Sequence, residues 1–315
     1  TQLKYIISRT NLPESSVKNT IKLLNEDCTV PFISRYRKEA TGNLDEVKIG
    51  DIVKYKEQFE ALEKRKISIL KALEKQGVLS QILKEKIEAC IDITTLEDLY
   101  LPFKKKRKTK AETARKNGLE PLAKIIMSQN SNDIQSIAYK YVKGEITTVE
   151  EALEGSRHII AEWINERLGI RNNLRNQLER HAQISTKVVK TKVEDEKAQK
   201  FRDYFDWSES LQRIPSHRLL AILRAENEGF IRVKIEIDDI KALENINRRI
   251  IKSQNTCADQ IELAISDAYK RLLFPSLSNE ALSNAKEKAD EAAITVFAKN
   301  LKQLLLGSPL GEKRV

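Results

Sequence analysis

Cysteine is scarce in this chain. Cys28, Cys90 and Cys257 are odd in number, far apart and never arranged as CxxC, which argues against a disulfide framework or a zinc site and fits a reducing cytoplasm. Histidine occurs only at His158, His181 and His217, none of them in HExxH, so no metal is expected. Neither GxGxxG nor GxSxG occurs. The stretch from Gly307 to Lys313 fails as a phosphate loop: three residues separate Gly307 from Gly311, Glu312 precedes Lys313, and a helical pattern stands where a strand is required. Acids such as Glu60, Glu63 and Glu74 are spaced as a solvated helix face, not as a catalytic pair. These absences point to a chain that is not an enzyme and carries no cofactor. Apolar runs are only a few residues long and the start has no signal-peptide core, which speaks against export and against a membrane. The first residue is Thr1, not Met, as in a trimmed fragment.

With ten glycines and seven prolines in 315 residues, and 32% charged residues, the composition favours helices. The charge is unevenly placed. Lys104, Lys105, Lys106, Arg107, Lys108 and Lys110 crowd into seven positions without an acid. Residues 101–124 hold nine Lys or Arg against Glu112 and Glu120, which accounts for +7 of the formal +10. A focused positive patch suits a polyanion, so nucleic acid is the expected partner and these six cations are the first candidate contacts. Arg115, Lys116, Arg171 and Arg175 are further candidates. Flanking Tyr100 and Phe103 could stack on bases, although their Leu-Pro context also suits a core. A solvated loop or a localisation tract accounts for such a run equally well.

Periodicity predicts a mainly α multi-helix scaffold with a helix-turn-helix-like subdomain and a few short β-strands. Short helices flank Leu12 and Pro13, in an order that suits either a helix-turn-helix or a small bundle. A long helix is expected over 45–76, with Ile52, Tyr55, Phe59, Leu62, Ile69 and Leu73 on one seam, Lys66 in its one polar slot and Gly77 at its end. Further helices are expected from Leu79, from a capping box at Thr95 to Asp98, and over 122–129. Within 131–193, three helices, the second started by a box at Thr148, precede an alternating segment at 184–193. This is the order of a winged helix-turn-helix; a helical subdomain with a surface hairpin fits the same residues. A strand is expected over 230–237 and a last helix from about Asn279 to Leu306. The expected domains are 1–130, 131–193 and 194–315.

Several segments together resemble the Tex family of bacterial transcription accessory proteins. Thr29-Val-Pro-Phe-Ile-Ser-Arg-Tyr-Arg-Lys-Glu-Ala-Thr-Gly-Asn-Leu-Asp-Glu46 is similar to its N-terminal signature. Glu97-Asp-Leu-Tyr-Leu-Pro-Phe-Lys-Lys-Lys-Arg-Lys-Thr109, followed by Gly118-Leu-Glu-Pro-Leu-Ala123, resembles its second block, with Lys105 where Pro is usual. Glu151-Ala-Leu-Glu-Gly-Ser-Arg157, Phe201-Arg-Asp-Tyr-Phe-Asp206, Pro215-Ser-His-Arg218 and Asn227-Glu-Gly229 resemble later blocks in the same order. The resemblance implies helical N-terminal modules that precede an RNase H-like domain, helix-hairpin-helix modules and an RNA-binding OB-fold. The residues from Leu304 to Val315 resemble the approach to the RNase H-like domain. The expected role is therefore a non-catalytic scaffold fragment of a nucleic-acid-binding transcription accessory protein, with the transcription machinery as a further partner. The alternative is a protein-interaction module docking on the transcription or translation machinery without touching nucleic acid.

Overall fold

A computed structural model describes residues 2–104 and 109–307. The chain is mainly helical, with one small antiparallel sheet, and divides into two compact units, Thr1–Lys105 and Lys106–Val315. The expected boundaries at 130 and 193 do not coincide with this division.

In the first unit, α1 (Gln2–Thr10) and α2 (Glu14–Asn25) are separated by Asn11, at φ 54°, and by Pro13. Thr29 caps α3 (Val30–Tyr36) by accepting from the Phe32 amide, and α4 (Lys38–Thr41) follows at once. Asp45 caps α5 (Glu46–Lys75), whose 30 residues span about 45 Å at 1.5 Å per residue. The start of α5 closes a core of Ile6, Val17, Ile33, Leu44, Ile49 and Ile52. Its far end builds a second core from Leu62, Ile69 and Leu73 with α6 (Gln81–Ala89) and α7 (Ile93–Tyr100). The expected seam is therefore the packing edge. Lys66 occupies its polar slot in a buried position, and its ammonium donates to Glu63 Oε1 at 2.8 Å and to the Glu88 carbonyl at 2.9 Å, satisfying an open carbonyl in the last turn of α6. Gly77, at φ 68°, ends α5 in the left-handed conformation that glycine adopts freely. The expected box at Thr95 is corrected. Asp92 is the cap, accepting from both the amide and the hydroxyl of Thr95, so α7 starts earlier.

The second unit comprises α8 (Lys110–Lys116), α9 (Glu120–Ser128), α10 (Ile134–Tyr139), α11 (Val149–Asn165), α12 (Leu168–His181), β1 (Gln183–Val188), α13 (Glu196–Gln199), β2 (Asp206–Ser210), α14 (Ser216–Asn227), β3 (Ile231–Glu236), α15 (Asp239–Ile250), α16 (Thr256–Asp267) and α17 (Phe274–Leu305). Its core is organised around α11, which starts at the expected Thr148–Glu151 capping box and buries Leu153, Ile159, Ile160 and Ile164. Gly155 lets α11 approach closely, since a Cβ there would lie 2.3 Å from Leu119 Cδ1. Gln129, at φ 57°, ties α9 to the loop after α15. Its Oε1 accepts from the Lys252 and Ser253 amides, and its Nε2 donates to the Ile250 carbonyl.

Three helices followed by a strand is the expected order, but β1 stops at Val188. The sheet order is β2-β1-β3, and pairing ends at Lys187↔Asp206 on one side and Val188↔Ile231 on the other. The Val189 amide still donates to the Phe230 carbonyl at 2.9 Å, and the chain then leaves the sheet in a 3-10 turn at Lys190–Lys192. The last helix also begins earlier than expected. Here α16 runs into α17 through a π-turn at Ala268–Leu273, and Pro275 sits in the first turn of α17, where a missing amide is tolerated. Ala289 is buried on α17, whereas Ile294, Val296, Phe297, Leu301, Leu304, Leu305 and Leu306 are exposed.

Lys66→Ala is expected to cost about 2–4 kcal/mol in chemical denaturation, because it empties a buried slot and strands the Glu88 carbonyl. Lys66→Met, which refills the slot, is expected to cost less.

Candidate nucleic-acid interface

Of the expected basic run, Lys105, Lys106, Arg107 and Lys108 lie outside the described residues. Both flanks are described, and both are anchored. On the N-terminal side, Tyr100 and Phe103 pack against the second core of the first unit, so these rings act as an anchor. Arg65 lies over the Tyr100 ring, 5.7 Å from its centroid, and is held by a two-pronged pair with Glu97. That hydrogen bond and the carboxylate charge raise the guanidinium's pKa further. Lys104 emerges exposed from this anchor. On the C-terminal side, Thr109 caps α8 by accepting from the Glu112 amide and donates its hydroxyl to Glu162 at 2.9 Å. Lys110, the next residue, is exposed.

The remaining candidates divide by environment. Arg115 donates to the buried Glu162 at 2.8 Å and lies 4.0 Å from Glu120, so its charge is committed inside the unit. Lys116 pairs with Glu112 one turn away but stays largely exposed, and a surface pair of this kind holds it only weakly. Arg171 and Arg175 belong to the inward stripe of α12 with Leu174 and Leu178. Arg171 is 5% exposed and donates to Asn165 at 3.2 Å. Arg175 grips Glu280 of α17 through two nitrogens, at 2.6 and 3.1 Å. A DNA-reading helix would turn such residues outward; here they fasten α12 to the core.

A different surface escaped the reading of the sequence. On α3, Phe32 and Tyr36 lie four residues apart and therefore on one face, with ring centroids 5.4 Å apart. The Arg37 guanidinium sits 5.6 Å from the Phe32 centroid. Arg35, Arg37 and Lys38 are all exposed. The signal was present in the sequence as Phe-Ile-Ser-Arg-Tyr-Arg-Lys, where aromatics alternate with cations; the greater charge density at 104–110 overshadowed it.

Among the described residues, no cluster of His, Cys, Asp and Glu could hold a metal ion. His158 lies 3.4 Å from both Glu154 and Asp267, and Arg271 grips Asp267 through two nitrogens. Burial pushes the Asp267 carboxyl up, but hydrogen bonds and charge from Arg271 and His158 outweigh it and hold the carboxyl well below the usual range. A cavity of about 470 Å³ beside the Arg175–Glu280 pair is lined by Leu211, Leu219, Leu277 and Ala281 among others.

Residues 129–297 match the family model described as Tex central region-like, and residues 1–74 match that of the Tex-like protein N-terminal domain. The chain belongs to the Tex family. It is 40% identical over 301 residues to the transcriptional accessory protein Tex of Neisseria gonorrhoeae, covering 94% of this chain and 40% of the relative. Protein YhgF of Escherichia coli K12 is 36% identical, with 94% and 40% covered. A human protein named S1 RNA-binding domain-containing protein 1 is 30% identical, with 98% and 32% covered. This chain thus spans about two fifths of the length of the bacterial Tex relatives. No helix among its described residues is long and apolar enough to cross a membrane.

A depressed carboxyl stabilises the fold above its unfolded pKa, about 3.9, and that contribution drains away as pH falls below it. Asp267→Asn is therefore expected to lower stability at neutral pH, with the gap to the parent chain narrowing below about pH 4 in denaturation series.

Proposed function

We propose that this chain is a non-catalytic scaffold of a Tex-family protein that works in the cytoplasm and adds a basic surface to that protein's contact with RNA or DNA. The observation that carries this reading is the run from Lys104 to Lys110, six cations without an acid, set between two anchored flanks. Each phosphate that such a run neutralises releases counterions. Membership of a family with relatives named for transcription and for an RNA-binding domain supports it. Lys104, Lys110 and Lys116 are the exposed described residues of this surface; Lys105, Lys106, Arg107 and Lys108 complete it from the sequence. Three free cysteines agree with a reducing compartment.

A second reading is favoured by one observation, the exposed apolar end of α17 from Ile294 to Leu306. Patches of this kind mark protein contacts, and on this reading the chain docks on the transcription or translation machinery while the run serves solubility.

Fluorescence anisotropy with single-stranded RNA and duplex DNA across a salt series separates the two. Replacing Lys104, Lys105, Lys106 and Arg107 with Ala is expected to weaken binding about tenfold or more near 0.1 M salt and to flatten the log–log salt slope by about 0.7–0.9 per lost contact. Unchanged affinity and slope would remove the run from the interface.

A further inference from the structure

The helix that carries Phe32 and Tyr36 is divided between residues that fold it and residues that do not. Ile33 is fully buried in the first core and the Ser34 hydroxyl donates to the Pro31 carbonyl at 3.0 Å. Below it, the buried Thr41 hydroxyl reaches the Arg37 and Lys38 carbonyls, each at 3.2 Å, and the Asn43 amide closes on Lys38 O at 2.8 Å. Asn19 of α2 donates to the Ala40 carbonyl at 2.7 Å. Gly42 turns the chain at φ 68°, and a Cβ there would lie 2.7 Å from Ser16 Oγ. The backbone under the surface is thereby fixed by the buried Ile33, Ser34 and Thr41 and by the Asn19 bond from α2.

The outward side chains have no such duty. Tyr36 is 70% exposed and Phe32 38%. Arg35, Arg37 and Lys38 have no carboxylate partner among the described residues, in contrast to Arg65, Arg115, Arg175 and Arg271. The one acid of the segment, Glu39, is likewise exposed. Two rings in contact and three unneutralised cations on a rigid base supply both elements of single-strand binding, a face for a base and charges for its phosphates. A duplex keeps its base faces stacked inside and would use only the cations.

Resting on the nucleic-acid reading above, we propose that α3 and α4 form a second contact, in which a base of single-stranded nucleic acid stacks on Tyr36, backed by Phe32, while Arg35, Arg37 and Lys38 meet the adjoining phosphates. Phe32 has one side taken by Arg37, so Tyr36 is the principal stacking ring.

The test uses this chain with twelve-nucleotide RNA and DNA single strands, a hairpin duplex and an acidic peptide, alongside the Ala variant of 104–107. Stacking energies imply that Tyr36→Ala weakens single-strand binding roughly 5- to 100-fold without changing the salt slope. Tyr36→Trp is expected to restore binding, and the duplex to bind Tyr36→Ala and the parent alike. Replacing Arg35, Arg37 and Lys38 with Gln is expected to flatten the single-strand salt slope by about 2. Equal losses on RNA and DNA indicate recognition through bases and phosphates alone; a loss confined to RNA adds the ribose hydroxyl, and both support the site. The site is overturned if Tyr36→Ala binds single strands as the parent does while the 104–107 variant does not, a result that leaves the broader reading intact. Loss of acidic-peptide binding with nucleic-acid binding unchanged would overturn it in favour of a protein dock. A parent chain that binds no nucleic acid would overturn both.

Discussion

Glu162 is 5% exposed on the central helix of the second unit, and a carboxylate so placed must be satisfied by donors. Arg115 and Thr109 are two of them, and meeting that demand fixes α8 on α11, takes Arg115 out of the exposed charge and pins the C-terminal end of the basic run. The same accounting runs through the molecule. Glu280 takes Arg175, Asp267 takes Arg271, and Glu97 takes Arg65. A cation is free to bind only where the fold has not already paired it, and Lys104, Lys110, Arg35, Arg37 and Lys38 are among the described cations that meet this condition.

Much of the fold was legible because it rests on local chemistry. The seam of α5, the box at Thr148, the glycine after Lys75 and the strand before Ile237 are each set by spacing or by a single backbone preference, and they stand where the sequence puts them. What escaped depends on partners distant in sequence. The length of β1 is decided by residues 206–210 and 231–236, and Gln129 is meaningful only against the loop 250–253, more than a hundred residues later. The start of α17 at Phe274, ahead of the expected Asn279, follows from a π-turn at Ala268–Leu273 that has no local signature.

The candidate site was legible in charge and illegible in direction. A run of lysines announces itself, but nothing in the spacing of Arg171 and Arg175 distinguishes a reading helix from one facing inward; only Glu280 on another helix decides it. Conversely, the segment 29–46, which carried the family resemblance, contains buried residues that explain its backbone and outward residues that do not contribute to it. That division, more than charge density, is what marks a surface as free to bind.

The most direct measurement is ultraviolet crosslinking of this chain to single-stranded RNA, with crosslinked peptides identified by mass spectrometry. The account predicts crosslinks at Tyr36 and within 104–110, and none on α12. Crosslinks concentrated on α12, or absent from both surfaces at saturating RNA, would contradict it.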